Sequence, residues 1–257
     1  MKIITLNVNG VRSAQRKGFY RWMLEQQADV VCLQEIKALA EQLDDEALAP
    51  PGYHAFFNPA HKKGYSGVAL YSRRRPDRVC STLGWAQADG EGRFLQADFG
   101  SLSVVSIYLP SGSSGPERQA VKFDFMARFL PVLKKMRRRN RDYILCGDWN
   151  IAHQAIDLKN WRGNQNNSGF LPEERAWLDQ LFGRVGMVDA FRVVNSLPEQ
   201  YTWWSNRGQA RAKNVGWRID YQVVTPGLRR RIRGAHIYTR ERFSDHAPLI
   251  MEYDINS

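Results

Sequence analysis

The chain has 257 residues, with 37 Lys plus Arg against 26 Asp plus Glu, and so a formal net charge of +11 at pH 7. This length and a hydrophobic fraction of 43% exclude a disordered tail or a short linker, and they permit one large domain or two smaller ones. The positive surplus favours a polyanionic partner, which is nucleic acid, an anionic membrane surface or a phosphorylated small molecule.

Cysteine spacing and hydropathy indicate the compartment. Cys32, Cys80 and Cys146 lie far apart and form no CxxC pair, so we expect neither a disulfide framework nor a cysteine zinc site. After Lys2 the chain runs directly into IITLNVNG, which lacks the apolar core of a secretory signal. Because no apolar run approaches the roughly 18 residues of a membrane helix, we expect a cytoplasmic protein, associated with the nucleoid in a bacterium, that has no membrane partner.

Short apolar runs rich in β-branched and aromatic residues predict eight strands. In chain order they cover residues 3–8, 30–33, 68–71, 94–99, 102–109, 143–146, 219–224 and 249–253. Helical spacing of apolar residues predicts helices around 19–23 and over 41–48, 116–138 and 172–182. No repeat and no linker rich in Pro, Gly or Ser divides the chain, so we expect a single α/β domain over residues 1–257.

Polar side chains recur where the predicted strands begin or end. The residues at these places are Asn7, Asn9, Glu35, Tyr108, Asp148, Asn150, Asp245 and His246. Each of them alone is equally typical of a turn or a loop. Their recurrence indicates that they converge on one rim of a sheet structure, where a rigid scaffold holds catalytic groups.

These strand ends carry the side chains that hydrolysis of a phosphodiester requires. Asp148 and Asn150 lie two residues apart, so on an extended segment both face the same side, one as a proton acceptor and the other as a hydrogen-bond donor. Glu35 is a candidate ligand of Mg²⁺, completed by Asp245 or Asn9, because this ion takes oxygen donors and few protein carboxylates. The absence of HExxH and CxxC motifs argues against zinc and favours Mg²⁺ or Mn²⁺.

His246 is the histidine with an acidic setting. It follows Asp245 directly, and Asp220 in WRIDY is a second acid that would orient the imidazole and favour its charged form. Without Asp220, a lone histidine near the end of a strand is more typical of a core or surface position. GxxxxGK[ST] and GxGxxG motifs are absent, which argues against nucleoside triphosphate use and dinucleotide redox chemistry and leaves hydrolysis.

Aromatic residues interleaved with cations suggest the class of substrate. The stretches YTWWSNR and NVGWRID place Trp203, Trp204 and Trp217 beside arginines, and such faces hold unstacked nucleotides or an extruded sugar. Adjacent tryptophans are equally typical of a core or an edge. The loop HKKGYSG combines Lys63 and Tyr65 with glycines, so it either contacts a nucleic-acid groove or only leads into a strand.

Ten stretches of the chain follow one another in the order known from one family. They are LNVNGVRS, LQEIK, GYSGVALYS, IYLPSG, CGDWNIAH, IDLKN, SGFLPEERAWLD, YTWWS, KNVGWRIDY and SDHAP. On these stretches the chain resembles the exonuclease III family of apurinic/apyrimidinic endonucleases, over nearly its whole length. That family is part of the endonuclease/exonuclease/phosphatase superfamily, so the resemblance implies a DNase I-like four-layer α/β sandwich of two packed mixed sheets flanked by helices.

The resemblance also implies an activity. It is that of a Mg²⁺-dependent DNA repair nuclease, with Mn²⁺ as a substitute, that cuts duplex DNA 5′ of an abasic site and leaves a 3′-hydroxyl. Activity at blocked 3′ ends, as a 3′→5′ exonuclease and a 3′-phosphodiesterase or phosphatase, is implied as well. We expect the protein to act as a monomer.

The resemblance gives each candidate residue a role. The metal ligands are Glu35, Asn9 and Asp245. Asp148 activates the water, His246 paired with Asp220 stabilises a phosphate oxygen, and the scissile phosphate is contacted by Asn7, Tyr108 and Asn150. The residues implied in binding the extruded sugar or the DNA are Trp203, Trp204, Ile219, Trp217, Arg12, Lys63, Tyr65, Asn160 and Asn164.

Three positions depart from the family's pattern. Asn9 lies where animal members carry Asp, which leaves the metal site with one fewer charge. Ser111 lies where many members have Asn or Gln beside the phosphate. Trp203 lies where animal members have Phe, which predicts a narrower pocket and a different balance between abasic-site incision and 3′-end trimming.

Two other hypotheses fit the positive charge. In the first, the same scaffold hydrolyses a phosphorylated inositol or lipid head group, which has no need of the three tryptophans. In the second, the chain is a non-catalytic DNA-binding module whose acids are structural. The second requires a cation among the carboxylates, because unpaired carboxylates repel DNA.

Overall fold

The computed structural model describes residues 1–255, and this part of the chain contains fourteen strands. They are β1 (Lys2–Asn7), β2 (Val30–Gln34), β3 (His54–Asn58), β4 (Val68–Ser72), β5 (Arg78–Cys80), β6 (Phe94–Phe99), β7 (Leu102–Tyr108), β8 (Asp142–Asp148), β9 (Val188–Asp189), β10 (Trp203–Trp204), β11 (Gly216–Trp217), β12 (Asp220–Val224), β13 (Ile232–Ile237) and β14 (Leu249–Tyr253). The α-helices are α1 (Val11–Arg16), α2 (Phe19–Gln26), α3 (Asp45–Leu48), α4 (Ala86–Gly90), α5 (Pro116–Arg138), α6 (Pro172–Asp179) and α7 (Ala190–Val194). Among the described residues, none of the helices has the length and apolar character needed to span a membrane.

Two six-stranded mixed sheets organise these elements. The first has the order β13-β14-β1-β2-β4-β3, and the second has the order β5-β6-β7-β8-β12-β9. Each sheet contains one parallel pair, β1 with β2 and β7 with β8. Because a parallel pair needs a crossover connection, α1 and α2 lie between β1 and β2, and α5 lies between β7 and β8.

The sheets pack face to face through alternate side chains of their strands. Ile3 belongs to the core between the two sheets, whereas its neighbour Ile4 packs with α1 and α2 on the outer face of the first sheet. In the second sheet, Val104 faces the first sheet and Val105 packs against α5 and α6. The resulting order of helices, sheet, sheet and helices confirms the predicted four-layer α/β sandwich.

The eight strands predicted from apolar runs are the eight interior strands of the two sheets. The edge strands β3, β5, β9 and β13 were not predicted, and neither were β10 and β11, which pair with each other. Interior strands are covered on both faces and therefore read as continuous apolar runs. Edge strands expose polar residues, as Arg78 does in β5 and Arg233 and His236 do in β13, so their pattern is interrupted.

Two predicted helices are divided in the structure. The segment 41–48 forms a 3₁₀ turn, Ala40–Gln42, followed by the one-turn α3. The Asp44 side chain accepts a backbone N–H at the start of α3, and such a capping contact begins a new helix instead of continuing the previous one. The segment 172–182 forms α6 and the first part of a π-helical turn, Gln180–Val185.

Candidate active site

Polar ends of the central strands meet at one rim of the sandwich. Asn7, Tyr108 and Asp148 are the last residues of β1, β7 and β8, and Glu35 directly follows β2. The register of the second sheet places Tyr108 and Asp220 on either side of Asp148. A cavity of about 270 Å³ opens here. We call it the cleft, and it is lined by Glu35, Tyr108, Ser111, Ser113, Asp148, Asn150, Asn167, Ser168, Gly169, Trp203, Trp217, Ile219, Asp245 and His246.

Asp148 is held by hydrogen bonds on both carboxylate oxygens and is only 2% exposed. Its Oδ2 accepts from Asn7 Nδ2 at 2.9 Å and from Asn150 Nδ2 at 3.2 Å, and its Oδ1 accepts from the Asn150 backbone N–H at 2.8 Å. Burial raises the pKa of Asp148 to about 7, although the nearby His246 opposes this rise. The carboxyl group is therefore fixed in position and titrates near neutral pH.

His246 lies between two aspartates. Its Nδ1 is 2.9 Å from Asp220 Oδ2, and its Nε2 is 3.8 Å from Asp148 Oδ2. Burial alone would lower the pKa of His246, but Asp220, together with Asp148 and Asp245, raises it to about 10. The imidazole is therefore a cation at neutral pH. Ligand atoms of Asp148, Asp220 and His246 lie within 4.8 Å of one another, but this group could hold a metal ion only after His246 loses its proton, because both nitrogens of an imidazolium are hydrogen-bond donors.

Glu35, Asn9 and Asp245 are joined through three short contacts, two of which involve the Lys37 cation. The Lys37 ammonium lies 2.7 Å from Glu35 Oε2 and donates to Asn9 Oδ1 at 2.5 Å, while Asn9 Nδ2 donates to Asp245 Oδ1 at 3.0 Å. Burial alone would raise the pKa of Glu35, but Lys37 and a hydrogen bond from Asn7 bring this pKa below its ordinary value. Carboxylate and amide oxygens that already surround one cation fit a hard metal ion.

Three residues around this cation have strained backbones. Asn9, Glu35 and Lys37 adopt left-handed conformations, with φ of 44°, 51° and 50°, which non-glycine residues rarely do. Backbone hydrogen bonds hold the strained segment, since Gly10 donates to the Glu35 carbonyl at 2.8 Å and Lys37 donates to the Ser66 carbonyl at 2.9 Å. Strain of this kind persists where the surroundings fix a functional geometry.

Tyr108 lies in the cleft as a neutral phenol. Burial raises the pKa of Tyr108 well above its ordinary value, and the carboxylates of Glu35 and Asp148 raise it further. The buried Arg93 guanidinium lies 4.8 Å from the Tyr108 ring centroid and donates to the Tyr108 carbonyl at 3.0 Å. Arg93 also donates to the Tyr65 hydroxyl at 3.0 Å. Tyr65 therefore supports Tyr108 through Arg93 and does not itself line the cleft.

One wall of the cleft is aromatic. Trp203 and Trp217 pair across β10 and β11, with ring centroids 6.4 Å apart, and both pack in one cluster with Ile219. Trp203 Nε1 donates to Asp245 Oδ2 at 3.0 Å. The same tryptophan thus forms part of the apolar wall and orients one of the predicted metal ligands.

Trp204 and five other predicted substrate contacts lie outside the cleft lining, the five being Arg12, Lys63, Tyr65, Asn160 and Asn164. Trp204 packs in a separate buried cluster and does not line the cleft, because successive residues of a strand point in opposite directions. Arg12 and Lys63 are exposed on segments that adjoin the rim. Asn164 Nδ2 donates to the Asn160 carbonyl at 3.0 Å, so this pair stabilises its own turn.

Three neighbouring residues line the cleft although no role was predicted for them. They are Asn167, Ser168 and Gly169, which directly precede the FLPEER stretch. Gly169 adopts φ of 95°, a conformation that suits glycine. A run of Asn, Ser and Gly ahead of a helix is typical of a structured loop, and this signal was present in the sequence.

The sequence pattern of the Endonuclease/Exonuclease/phosphatase family matches residues 4–246. The chain belongs to this family. The prediction made from the ten sequence stretches is thereby confirmed. Within the family, the chain is 41% identical over 251 residues to the exodeoxyribonuclease of Bacillus subtilis (strain 168), with 97% of this chain and 98% of that relative covered.

Solved structures of the family show the same architecture. An AP endonuclease from Archaeoglobus fulgidus superposes with a TM-score of 0.90 at 28% identity, covering 99% of this chain and 100% of that one. The 3′ phosphatase NExo from Neisseria, bound to a product DNA hairpin, superposes with a TM-score of 0.88 at 27% identity, covering 99% of this chain and 100% of that one. These likenesses confirm the DNase I-like sandwich.

Proposed function

We propose that this family member is a Mg²⁺-dependent DNA repair nuclease of the cytoplasm that acts as a monomer. It hydrolyses the phosphodiester 5′ of an abasic site in duplex DNA and leaves a 3′-hydroxyl, and it also trims blocked 3′ ends as an exonuclease and 3′-phosphodiesterase or phosphatase. The observation that carries this proposal is the position of the buried Asp148 carboxylate. The side-chain amides of Asn7 and Asn150 hold it, it lies 3.8 Å from the cationic His246 imidazole, and it lines the same cleft as the aromatic wall.

The polar residues of the cleft divide the chemistry among them. Asp148 accepts a proton from the attacking water, because its pKa of about 7 suits proton transfer near neutral pH. The cationic His246 and the neutral Tyr108 phenol donate hydrogen bonds to the non-bridging phosphate oxygens as charge develops on them. Asn7 and Asn150 hold the Asp148 carboxylate in position.

A divalent cation held by Glu35, Asn9 and Asp245 would neutralise the phosphate and stabilise the departing 3′-oxygen. Lys37 already places a positive charge between Glu35 and Asn9. Oxygen donors of this kind suit Mg²⁺, and Mn²⁺ is the expected substitute.

The aromatic wall supports an abasic site as the substrate. Trp203, Trp217 and Ile219 offer an apolar surface in a cavity of only about 270 Å³. An extruded deoxyribose that lacks its base fits such a space, and extrusion is least costly where the base is already gone. A phosphorylated head group would have no use for this apolar wall.

A single gel experiment tests the proposal. One labelled abasic duplex is compared with an intact duplex and with a nick bearing a 3′-phosphate, while Mg²⁺ is titrated against EDTA. We expect incision 5′ of the abasic site that disappears with EDTA, and we expect Asp148→Asn to abolish turnover while DNA binding persists. Undiminished cleavage in EDTA, or an active Asp148→Asn variant, would contradict the mechanism.

A further inference from the structure

A fully buried ion pair lies next to the cleft and is not used by the proposed chemistry. Lys122 of α5 and Glu174 of α6 are both 0% exposed, and Lys122 Nζ lies 2.5 Å from Glu174 Oε1. Burial lowers the pKa of Lys122, and Glu174 opposes this shift. A buried ion pair is seldom more stabilising than apolar side chains of the same volume, so stability alone does not account for it.

Glu174 Oε1 also accepts from Gln119 Nε2 at 3.1 Å, and the other hydrogen bonds of this pair go to backbone groups in or beside the cleft. Lys122 Nζ donates to the Asn150 carbonyl at 2.7 Å. Glu174 Oε2 accepts from the backbone N–H of Gly169 at 2.6 Å and of Leu171 at 3.0 Å. The pair therefore joins the segment after β8, which carries Asp148, to the loop that lines another part of the cleft.

Both cleft residues that the pair holds have left-handed backbones. Asn150 has φ of 53° and Gly169 has φ of 95°, and a non-glycine residue keeps such a conformation only when its surroundings fix it. Asn150 in turn donates two hydrogen bonds to Asp148, from its backbone N–H and from Nδ2. A change at Lys122 is therefore transmitted to the carboxylate of Asp148 through one residue.

We infer that Lys122 and Glu174 are positioning residues for the reaction. Lys122 fixes Asn150, and through it the orientation of Asp148, while Glu174 fixes the loop at Gly169. The choice of an abasic duplex as substrate rests on the proposed function. The contribution of the ion pair to kcat is expected for any phosphodiester that is cut in the cleft. The ion pair thus determines the geometry of two parts of the cleft at once.

The decisive variant replaces both charges together. Lys122→Met alone leaves the buried Glu174 carboxylate without a neutralising charge, and this change threatens folding. Lys122→Met/Glu174→Gln is neutral, and its amide oxygen still accepts from Gly169 and Leu171. We expect this double variant to fold, to lose at least about tenfold in kcat on the abasic duplex, and to bind the same duplex with less than about a threefold change in Kd.

A pH profile separates positioning from a merely structural role. Asn150, which Lys122 holds, donates two hydrogen bonds to the Asp148 carboxylate. Weaker hydrogen bonds from Asn150 in the double variant should therefore raise the pKa of Asp148 and shift the acid limb of kcat to higher pH. The control is Arg141→Met, which removes an ion pair at 3.5 Å between Arg141, just before β8, and Asp98 of β6. This pair lies at the opposite end of β8 from Asp148, so we expect lower thermal stability with unchanged kcat and acid limb.

Two results would overturn the inference. One is an unchanged kcat and pH profile in the folded double variant, and the other is an equal loss of kcat in Arg141→Met. The same constants are measured on the 3′-phosphate nick. If the wild-type protein cuts only the nicked substrate, abasic-site incision is contradicted. The contribution of the Lys122–Glu174 pair is then measured as the difference in kcat between the wild type and the double variant on the nicked substrate.

Discussion

Asp148 and His246 have pKa values that are both raised, but for different physical reasons. Burial raises the pKa of Asp148 to about 7, whereas the Asp220 carboxylate raises the pKa of His246 to about 10 against the effect of burial. Between these two values the carboxylate and the imidazolium coexist 3.8 Å apart. A base that accepts a proton and a cation that stabilises a phosphate oxygen are then present together.

The pH dependence of kcat follows from these two groups. Activity should fall as the pH drops below about 7, where Asp148 becomes protonated, and again as the pH rises above about 10, where His246 loses its charge. Asp220→Asn removes the main cause of the raised His246 pKa, so the alkaline limb should move to lower pH by at least about one unit.

A pH–rate profile at saturating metal ion checks this expectation. Asp254→Asn is the control, because Asp254 is exposed and paired with Arg233 away from the cleft. An alkaline limb that stays in place in Asp220→Asn would show that His246 does not titrate in that limb.

At the scale of the strands and helices, the quality of prediction follows burial. Every interior strand was predicted because both of its faces are covered, whereas the four edge strands were missed because solvent interrupts their apolar runs. The helix predicted over 116–138 is α5 with the same ends, since Pro116 begins it and apolar spacing continues to Met136. Short strands such as β10 form only through pairing with a distant segment, so the local sequence pattern does not predict them.

The pair Trp203 and Trp204 in β10 shows what this limit means for the site. Two adjacent tryptophans on a strand face opposite sides, but only the pairing of Trp203 with Trp217 decides which one enters the cleft. Trp204 instead packs with Tyr201 and Ala247, and it is 4% exposed. Substitution of Trp203 should therefore affect substrate binding, and substitution of Trp204 should affect stability.

We expect Trp203→Ala to raise KM for the abasic duplex roughly tenfold, a loss of about 1.4 kcal/mol of binding, with little loss of stability. Trp204→Ala should reduce the free energy of unfolding by about 3 kcal/mol through the cavity it leaves. Steady-state kinetics and urea denaturation of both variants check this, with each variant serving as the other's control. Equal effects of the two changes on KM would contradict the assignment of the wall.

At the scale of the whole molecule, the cleft is lined by residues that lie far apart in the chain, from Glu35 after β2 to His246 before β14. Glu35, Tyr108, Asp148 and His246 were predictable because each lies at or near the end of an apolar run, whereas Asn167 and Ser168 lie in a loop and were not predicted. The Lys37 ammonium beside Glu35 and the support of Asn150 by Lys122 were not predictable. Both contacts depend on which segments the strand register of the two sheets brings together, and no single segment of the sequence contains this information.

The net charge of +11 has to overcome an acidic cleft when DNA binds. Glu35, Asp148 and Asp245 repel phosphates, so attraction must come from cations around the rim. Arg12 lies on α1, just after β1, and Lys63 lies in the loop whose Ser66 carbonyl binds the Lys37 backbone. Both are exposed, and we expect each to neutralise one backbone phosphate.

Salt dependence of binding measures this contribution directly. Each phosphate contact contributes about −0.9 to the slope of log K against log salt concentration. Arg12→Gln and Lys63→Gln should each reduce the steepness by about that amount, and each should weaken binding of abasic and intact duplexes equally while leaving kcat unchanged. Arg233→Gln, whose exposed side chain pairs with Asp254, is the matched control and should keep the wild-type slope. A slope that is the same in all three variants would mean that the phosphates are held elsewhere on the surface.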